Sequence, residues 1–232
     1  MPLEYFDKIS STNDFIRENL NDFKDNNFSG VYTFNQTRGK GPKGYVWVSE
    51  PEKNIALTFC LTDKSLPVNN LSFWVAITVC EFIRKVTDTE ALVKWPNDIL
   101  IHKKKVCGIL IEKIGNIFAV GIGINVLQEN FETLPKASSL VSLAPKKYVL
   151  KDLASNLITH FKENFNLIND TAFLLEKYNS YLFGKDRVLT FKVDDSQING
   201  IIRKVDTDGL LQIEFENIGI KKFRIKEIEF LY

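Results

Sequence analysis

The chain has 232 residues, of which 44% are apolar, 25% charged and 12% aromatic, with 18 phenylalanines. That composition belongs to a folded globular protein and excludes disordered, collagen-like and mucin-like classes. Lys and Arg number 30 against 29 Asp and Glu, a net charge of +1, so no overall field recruits DNA, RNA or an anionic membrane, and any basic patch must be local.

The N-terminal MPLEYFDKISSTN has no apolar stretch behind basic residues, and no run reaches the roughly 18 apolar residues of a bilayer span. Cys60, Cys80 and Cys107 are far apart in apolar runs and fit neither a disulfide framework nor a metal knuckle, so a cytoplasmic protein is expected. Of the two histidines, His102 lies in a lysine-rich turn and His160 in a helical pattern; neither is read as catalytic. Ser11-Thr12-Asn13-Asp14 has capping-box spacing and is followed by Phe15, Ile16, Leu20 and Phe23, which predicts a helix starting at the Ser-Thr pair. Residues 31–36 alternate like a strand and enter the glycine-rich, basic RGKGPKG, beyond which residues 54–62 form a second strand pattern. Leu71 to Val86 is apolar around most of its circumference and reads as a buried helix on the sheet.

From residue 91 the pattern is a meander: ALVKW, DILI, a turn at HKKK, VCGILIEKI, a Gly115-Asn116 turn and IFAVGIGINV, hence mainly antiparallel strands. Leu150, Leu153, Ala154, Leu157, Ile158 and Phe161 keep helical spacing, as do Phe173, Leu174, Tyr178 and Tyr181. After Gly184 only short β runs remain, with turns at Asp194-Asp195 and Asp208-Gly209, so the last fifty or so residues read as a small all-β module joined near residue 183.

Three segments carry chemistry. In QTRGKGPKGYVW, residues 36–47, Gly39, Gly41 and Gly44 let backbone N–H groups turn inward while Arg38, Lys40 and Lys43 add positive charge. This is either an anion cradle or a solvated basic turn; it is not a Walker loop, since Tyr45 and Val46 follow Gly44. Trp47 offers a flat surface for a bicyclic ligand or simple core packing. In KWPND, residues 94–98, a strand delivers Lys94 and Trp95, Pro96 stops the ladder, and Asn97 and Asp98 take the turn. The next strand, KVCGILIE, brings Lys105, Gly108 and Glu112, and alternation is expected to put Lys105 and Cys107 on one face. In GIGIN, residues 121–125, Gly121 and Gly123 either relieve crowding or let a ligand approach the backbone.

SSTN at 10–13, the glycine-rich segment, KWPND with KVCGILIE, and GIGIN occur together and in that order, and the chain resembles the biotin protein ligases. The likeness runs by motif over residues 8–126 and by layout to the C-terminus. It implies an α/β (α+β) catalytic domain over residues 1–183, a mixed and mainly antiparallel sheet with flanking helices of the class II aminoacyl-tRNA synthetase type. A C-terminal SH3-like β barrel over residues 184–232 is implied as well. The implied reaction joins biotin to ATP with Mg²⁺ as biotinyl-5′-AMP and passes the acyl group to a lysine of a biotin carboxyl carrier domain of a biotin-dependent carboxylase, with no tightly bound prosthetic group.

Carried over by position, Ser11, Thr12 and Gln36 hydrogen-bond the ureido head of biotin with Asn13 in support. Lys40, Gly41 and Pro42 cover the acyl end and the phosphate, and Gly108 also belongs to the biotin site. Lys105 is the principal catalytic residue, beside Lys40 and Asp98. Gly39, Gly44, Trp47, Lys94, Asn97 and Asn125 hold the nucleotide, and Asp98 acts indirectly on Mg²⁺. The family pattern is often GRGRxGRxW; here Lys40, Pro42 and Tyr45 stand at the arginines, so a weaker grip on phosphate and faster escape of the adenylate are expected. SSTN at residue 10 leaves no room for an N-terminal helix-turn-helix module, so no DNA partner is expected. No membrane partner is expected either, and a homodimer through sheet edges is left open. Lipoate or octanoate ligation is the nearest rival, and a non-catalytic binding module the rival from another class.

Overall fold

The computed structural model describes residues 3–23, 26–62 and 66–232. The strands are β1 (Leu3–Tyr5), β2 (Gly30–Thr33), β3 (Gly39–Lys40), β4 (Val46–Trp47), β5 (Asn54–Leu61), β6 (Ala91–Lys94), β7 (Asp98–Ile101), β8 (Lys104–Ile114) and β9 (Ile117–Asn125). Beyond them come β10 (Val188–Val193), β11 (Ser196–Val205), β12 (Leu211–Phe215), β13 (Gly219–Phe223) and β14 (Glu229–Leu231). The helices are α1 (Thr12–Glu18), α2 (Leu20–Phe23), α3 (Val68–Thr87), α4 (Leu140–Leu143), α5 (Leu150–Glu163) and α6 (Thr171–Ser180), with 3₁₀ turns at Pro42–Gly44 and Phe165–Asn169.

Strand β5, NIALTFCL, sets the plan. Its odd positions Ile55, Leu57, Phe59 and Leu61 are wholly buried and face the α3–α5 layer, where Phe59 meets Phe161 at 4.8 Å and Phe161 meets Trp74 at 5.1 Å. The all-round apolar α3 follows from its place between sheet, α5 and α6, each face having a partner to bury against. Cys60 on the opposite face of β5 joins Val31, Ala119 and Ile16, so α1 lies across the other side of the sheet. That sheet has seven strands in the order β1-β2-β5-β9-β8-β7-β6, antiparallel except for the β1–β2 pair. The mixed, mainly antiparallel sheet with flanking helices is the expected class. Strands β1 and β14 and helix α4, each three or four residues long, escape periodicity.

The C-terminal strands form a second antiparallel sheet, order β13-β12-β11-β10-β14. Phe223, Phe215, Phe191 and Phe230 touch in sequence across it at 5.3 to 6.4 Å. This sheet is fastened to the first by Trp95 Nε1 donating to Gly209 O (3.0 Å), Asn69 Nδ2 to Thr207 O (3.0 Å), and a two-way bond between the Asn179 amide and Val205. All three cysteines are free and buried, and burial pushes the Cys60 and Cys80 thiols up to about 12, which leaves them inert packing residues.

Candidate active site

On the α1 side of the sheet three adjacent strands present almost no side chain. Gly123 of β9 lies opposite Ala56 of β5 and Gly108 of β8, and Gly121 lies opposite Thr58 and Leu110. The glycines are required by close approach: a Cβ on Gly123 would stand 2.6 Å from the Trp47 ring, one on Gly108 2.9 Å from it, and one on Gly121 2.2 Å from Asn13 Oδ1. The result is a flat backbone shelf with polar groups at each end.

At the inner end Ser11 caps α1, its Oγ accepting from Asp14 N at 3.3 Å, as the capping-box spacing predicts. Gln36 Oε1 accepts from Thr12 N (2.9 Å) and Thr12 Oγ1 (3.2 Å). Thr58 Oγ1 lies 2.8 Å from Thr12 Oγ1 and 2.7 Å from Asn13 Oδ1, and Asn13 Nδ2 donates to Glu112 Oε2 at 2.7 Å. Thr12, Asn13 and Thr58 are buried, Gln36 is half-buried, and their mutual hydrogen bonds fix their orientation.

The outer end is cationic. Lys105 Nζ lies 2.6 Å from Asp98 Oδ1 and 5.5 Å from the centre of the Trp47 ring; Lys94 Nζ lies 3.6 Å from Asp98 Oδ2. Burial, reinforced by Lys105 and Lys136, pulls the Lys94 ammonium below the ordinary lysine range against the pull of Asp98. Lys136 Nζ rests 4.7 Å over the Tyr232 ring. Tyr232's hydroxyl is pushed up to about 12, by burial first and then by Asp98.

Lys105 and Cys107 do not share a face. Ile99 pairs with Cys107 but Leu100 pairs with Lys105, so Val106 is an extra residue in β8, a β-bulge. Val106 and Cys107 are consecutive and both wholly buried, while Lys105 Nζ stands 3.2 Å from the Cβ position of Gly108, over the shelf. Where β9 ends, residues 136–138 take its place beside β8, with Lys105 N donating to Lys136 O (2.7 Å) and Ser138 N to Lys105 O (3.0 Å).

The glycine-rich segment is neither a loose turn nor an open cradle. Strands β3 and β4 form a separate hairpin, closed over the shelf by Trp47. Lys40 Nζ is bound to the Asp14 carboxylate at 2.7 Å, Arg38 is exposed, and Gly44 takes φ 87°, which a side chain resists. The side chain of Lys43 lies outside the described residues. The cavity left under the hairpin, walled by Thr12, Gln36, Pro42, Trp47, Lys105 and the glycines, holds about 40 Å³. Ligand sites usually run to some 300–1,000 Å³, so the hairpin must lift for a bicyclic ligand to enter. Outside it a groove of about 850 Å³ runs between Tyr45, Val46, Lys94 and Asp98 on one side and Asp208 to Leu210 and Arg224 to Lys226 on the other.

Ser11, Thr12, Asn13, Gln36, Lys40, Gly41, Pro42, Trp47, Asn97, Lys105 and Gly108 therefore converge on one cavity, and Lys94 and Asp98 on the adjoining groove. Gly39, Gly44 and Asn125 line neither; Gly39 packs against Gln36 and Trp47 O. Asn97 is committed to β8, its Nδ2 donating to Ile109 O (2.7 Å) and its O accepting from Ile109 N (3.0 Å). Among the described residues Trp47 Nε1 and Asn125 Oδ1 are buried without a partner. Sequence reasoning missed Thr58, Asp14, Arg17 and Lys136. Only Thr58 left a local trace, a hydroxyl inside an apolar strand. Among the described residues no three His, Cys, Asp or Glu side chains gather as a metal cage, and Asp98 is already shared by two ammonium groups. The donor set fits Mg²⁺ arriving on nucleotide phosphates better than a resident ion.

The whole chain superimposes on the biotin protein ligase of Aquifex aeolicus solved with biotin and ATP (TM-score 0.84, 23% identity, 99% of this chain and 98% of that one). The fold is thus that of a protein ligase. Residues 5–129 match the Biotin/lipoate A/B protein ligase family, and the chain belongs to that family. It is 29% identical to the bifunctional ligase/repressor BirA of Bacillus subtilis over 244 residues, covering 98% of this chain and 73% of that protein. It is 28% identical to the biotin–[acetyl-CoA-carboxylase] ligase of Mycobacterium tuberculosis over 193 residues, 77% of this chain and 70% of that one.

Proposed function

We propose that this protein is a biotin protein ligase, which activates biotin with ATP to biotinyl-5′-AMP and transfers biotin to a lysine of a biotin carboxyl carrier domain. The observation that supports this best is the polarity of one pocket: neutral hydrogen-bonding groups at Thr12 and Gln36, a bare backbone shelf at Gly108, Gly121 and Gly123, and Lys105 at the far end. A ureido head, an apolar bicycle with its chain, and a carboxylate fit that order of environments.

In the first step a biotin carboxylate oxygen attacks the α-phosphorus and the bond to the β-phosphate oxygen breaks, releasing pyrophosphate. Lys105 neutralises the charge that crowds at the attacking carboxylate and α-phosphate, and Lys94 that on the leaving phosphates. Mg²⁺, carried by the nucleotide, shields its phosphate charge. In the second step Asp98 receives the incoming carrier-lysine ammonium and takes a proton from it. The freed amine attacks the acyl carbon, the bond from that carbon to the phosphate oxygen of AMP breaks, and AMP departs while the second nitrogen proton passes to solvent. Asp98 also holds Lys105; an Asp98→Asn enzyme with an unchanged transfer rate overturns the first of these roles. Residues 1–183 act as the catalytic unit and residues 184–232 as a β module forming the far wall of the outer groove, where the carrier domain approaches. No helix among the described residues is long and apolar enough to cross a membrane, in keeping with a cytoplasmic enzyme.

Pyrophosphate exchange into ATP, run with biotin, lipoate and octanoate, tests the reading. Exchange with biotin that is lost in Lys105→Ala supports it. Exchange with lipoate or octanoate instead moves the chain to the other branch of its family, and silence with all three overturns ligation.

A further inference from the structure

The cover of the pocket is tied down at few points. The β3–β4 hairpin belongs to no ladder of the main sheet; its base hangs on Thr37 N to Ile9 O (3.0 Å) and Arg38 N to Ser10 O (2.7 Å). Beyond the base, among the described residues, it is held by Trp47 on the shelf and by the ion pair of Lys40 with Asp14. That pair is not isolated. Asp14 Oδ1 also accepts from Arg17 (2.9 Å), Arg17 reaches Glu112 Oε1 (2.6 Å), and Glu112 Oε2 accepts from Asn13, which touches Thr58 and stands over Gly121. A chain of charged contacts thus runs from the hairpin across α1 and β8 to the inner end of the pocket. Lys40, whose position marked it as a phosphate ligand, is engaged away from phosphate, and Pro42 supplies neither charge nor N–H.

We propose that Asp14 is a positioning residue that latches the glycine-rich hairpin shut through Lys40, so that an ion-pair chain on α1, in place of loop arginines, sets how long the bound adenylate is retained. The inference rests on the biotin-ligase reading. Exposed pairs contribute little alone, but Asp14 is only one-fifth exposed and held by Arg17, so less side-chain freedom is lost when Lys40 docks. Because Asn13 stands in both the chain and the inner end, occupation of the inner end and closure of the cover are coupled.

The test is the release rate of biotinyl-5′-AMP, formed on the enzyme from biotin and MgATP and followed in a chase by unlabelled ligand. Asp14→Asn is expected to speed release by about threefold to fivefold, and Lys40→Met by the same factor. Because the two act through each other, the double variant is expected to release no faster than either single. Added salt should speed release from the wild type more than from Asp14→Asn and narrow the gap between them, a response that mere loss of folding stability does not give. Arg17→Met, which leaves the Lys40 pair in place, should show a smaller rise. Release unchanged by Asp14→Asn, or the two single effects adding, overturns the latch. A wild type that forms no adenylate fails earlier, at the ligase reading itself.

Discussion

At the inner end of the pocket Thr12, Asn13 and Thr58 are neutral and buried and, with the half-buried Gln36, bonded to one another, whereas at the outer end Lys94 and Lys105 share the Asp98 carboxylate and Lys136 adds its charge beside Lys94. The inner groups are oriented before anything binds, which suits recognition of an uncharged polar head. The outer groups repel one another and leave excess positive charge, which suits binding of a polyanion and stabilisation of charge during reaction. One end recognises and the other reacts, so substitutions should separate into those that change affinity for the acid and those that change nucleotide chemistry.

The largest break falls on the reactive end: Lys105→Ala should lower pyrophosphate exchange by about 10²–10³-fold, with biotin affinity by calorimetry changed far less. Comparable losses in both would erase the distinction between the ends. Next, Gly121→Ala places a methyl 2.2 Å from Asn13 Oδ1 and must displace that amide. Biotin should then bind about tenfold more weakly, the loss expected for one or two hydrogen bonds, while KM for ATP holds. Lys136→Ala should do the reverse, raising KM for ATP about two- to fourfold and leaving biotin calorimetry unchanged. The smallest effect is in the pH profile. Since burial depresses Lys94, this group loses its proton before exposed lysines as pH rises, so KM for ATP should climb at alkaline pH below the ordinary lysine value of 10.5. Lys94→Arg, which stays charged, should flatten that climb, and biotin affinity should be level throughout.

The long elements were legible from run length and period: NIALTFCL is an eight-residue apolar run of strand length, buried on both faces, and the helix at 150–163 keeps one apolar stripe. The residues of the site were legible where a turn or glycine punctuates the chain, as in KWPND and GIGIN. What escaped depends on distant partners. Lys136 reaches the lysine end only because its loop replaces β9 beside Lys105, and Asp14 and Arg17 look like ordinary helix-surface charges until Lys40 and Glu112 are placed against them. The face of Lys105 was misread because alternation assumes an unbroken ladder.

That break at Val106 makes strand length itself part of the chemistry. Inserting one residue into β7 between Ile99 and Leu100, opposite Val106, would restore strict alternation along β8, and Lys105 would turn from the glycine shelf to the helix side that Cys107 faces. Every side chain named in the reaction would survive such an insertion. A β7 that matches β8 residue for residue here is therefore a stronger mark of lost ligase activity in a related chain than most substitutions, and the bulge must be carried along by anyone transplanting this lysine two positions before a buried residue on another sheet.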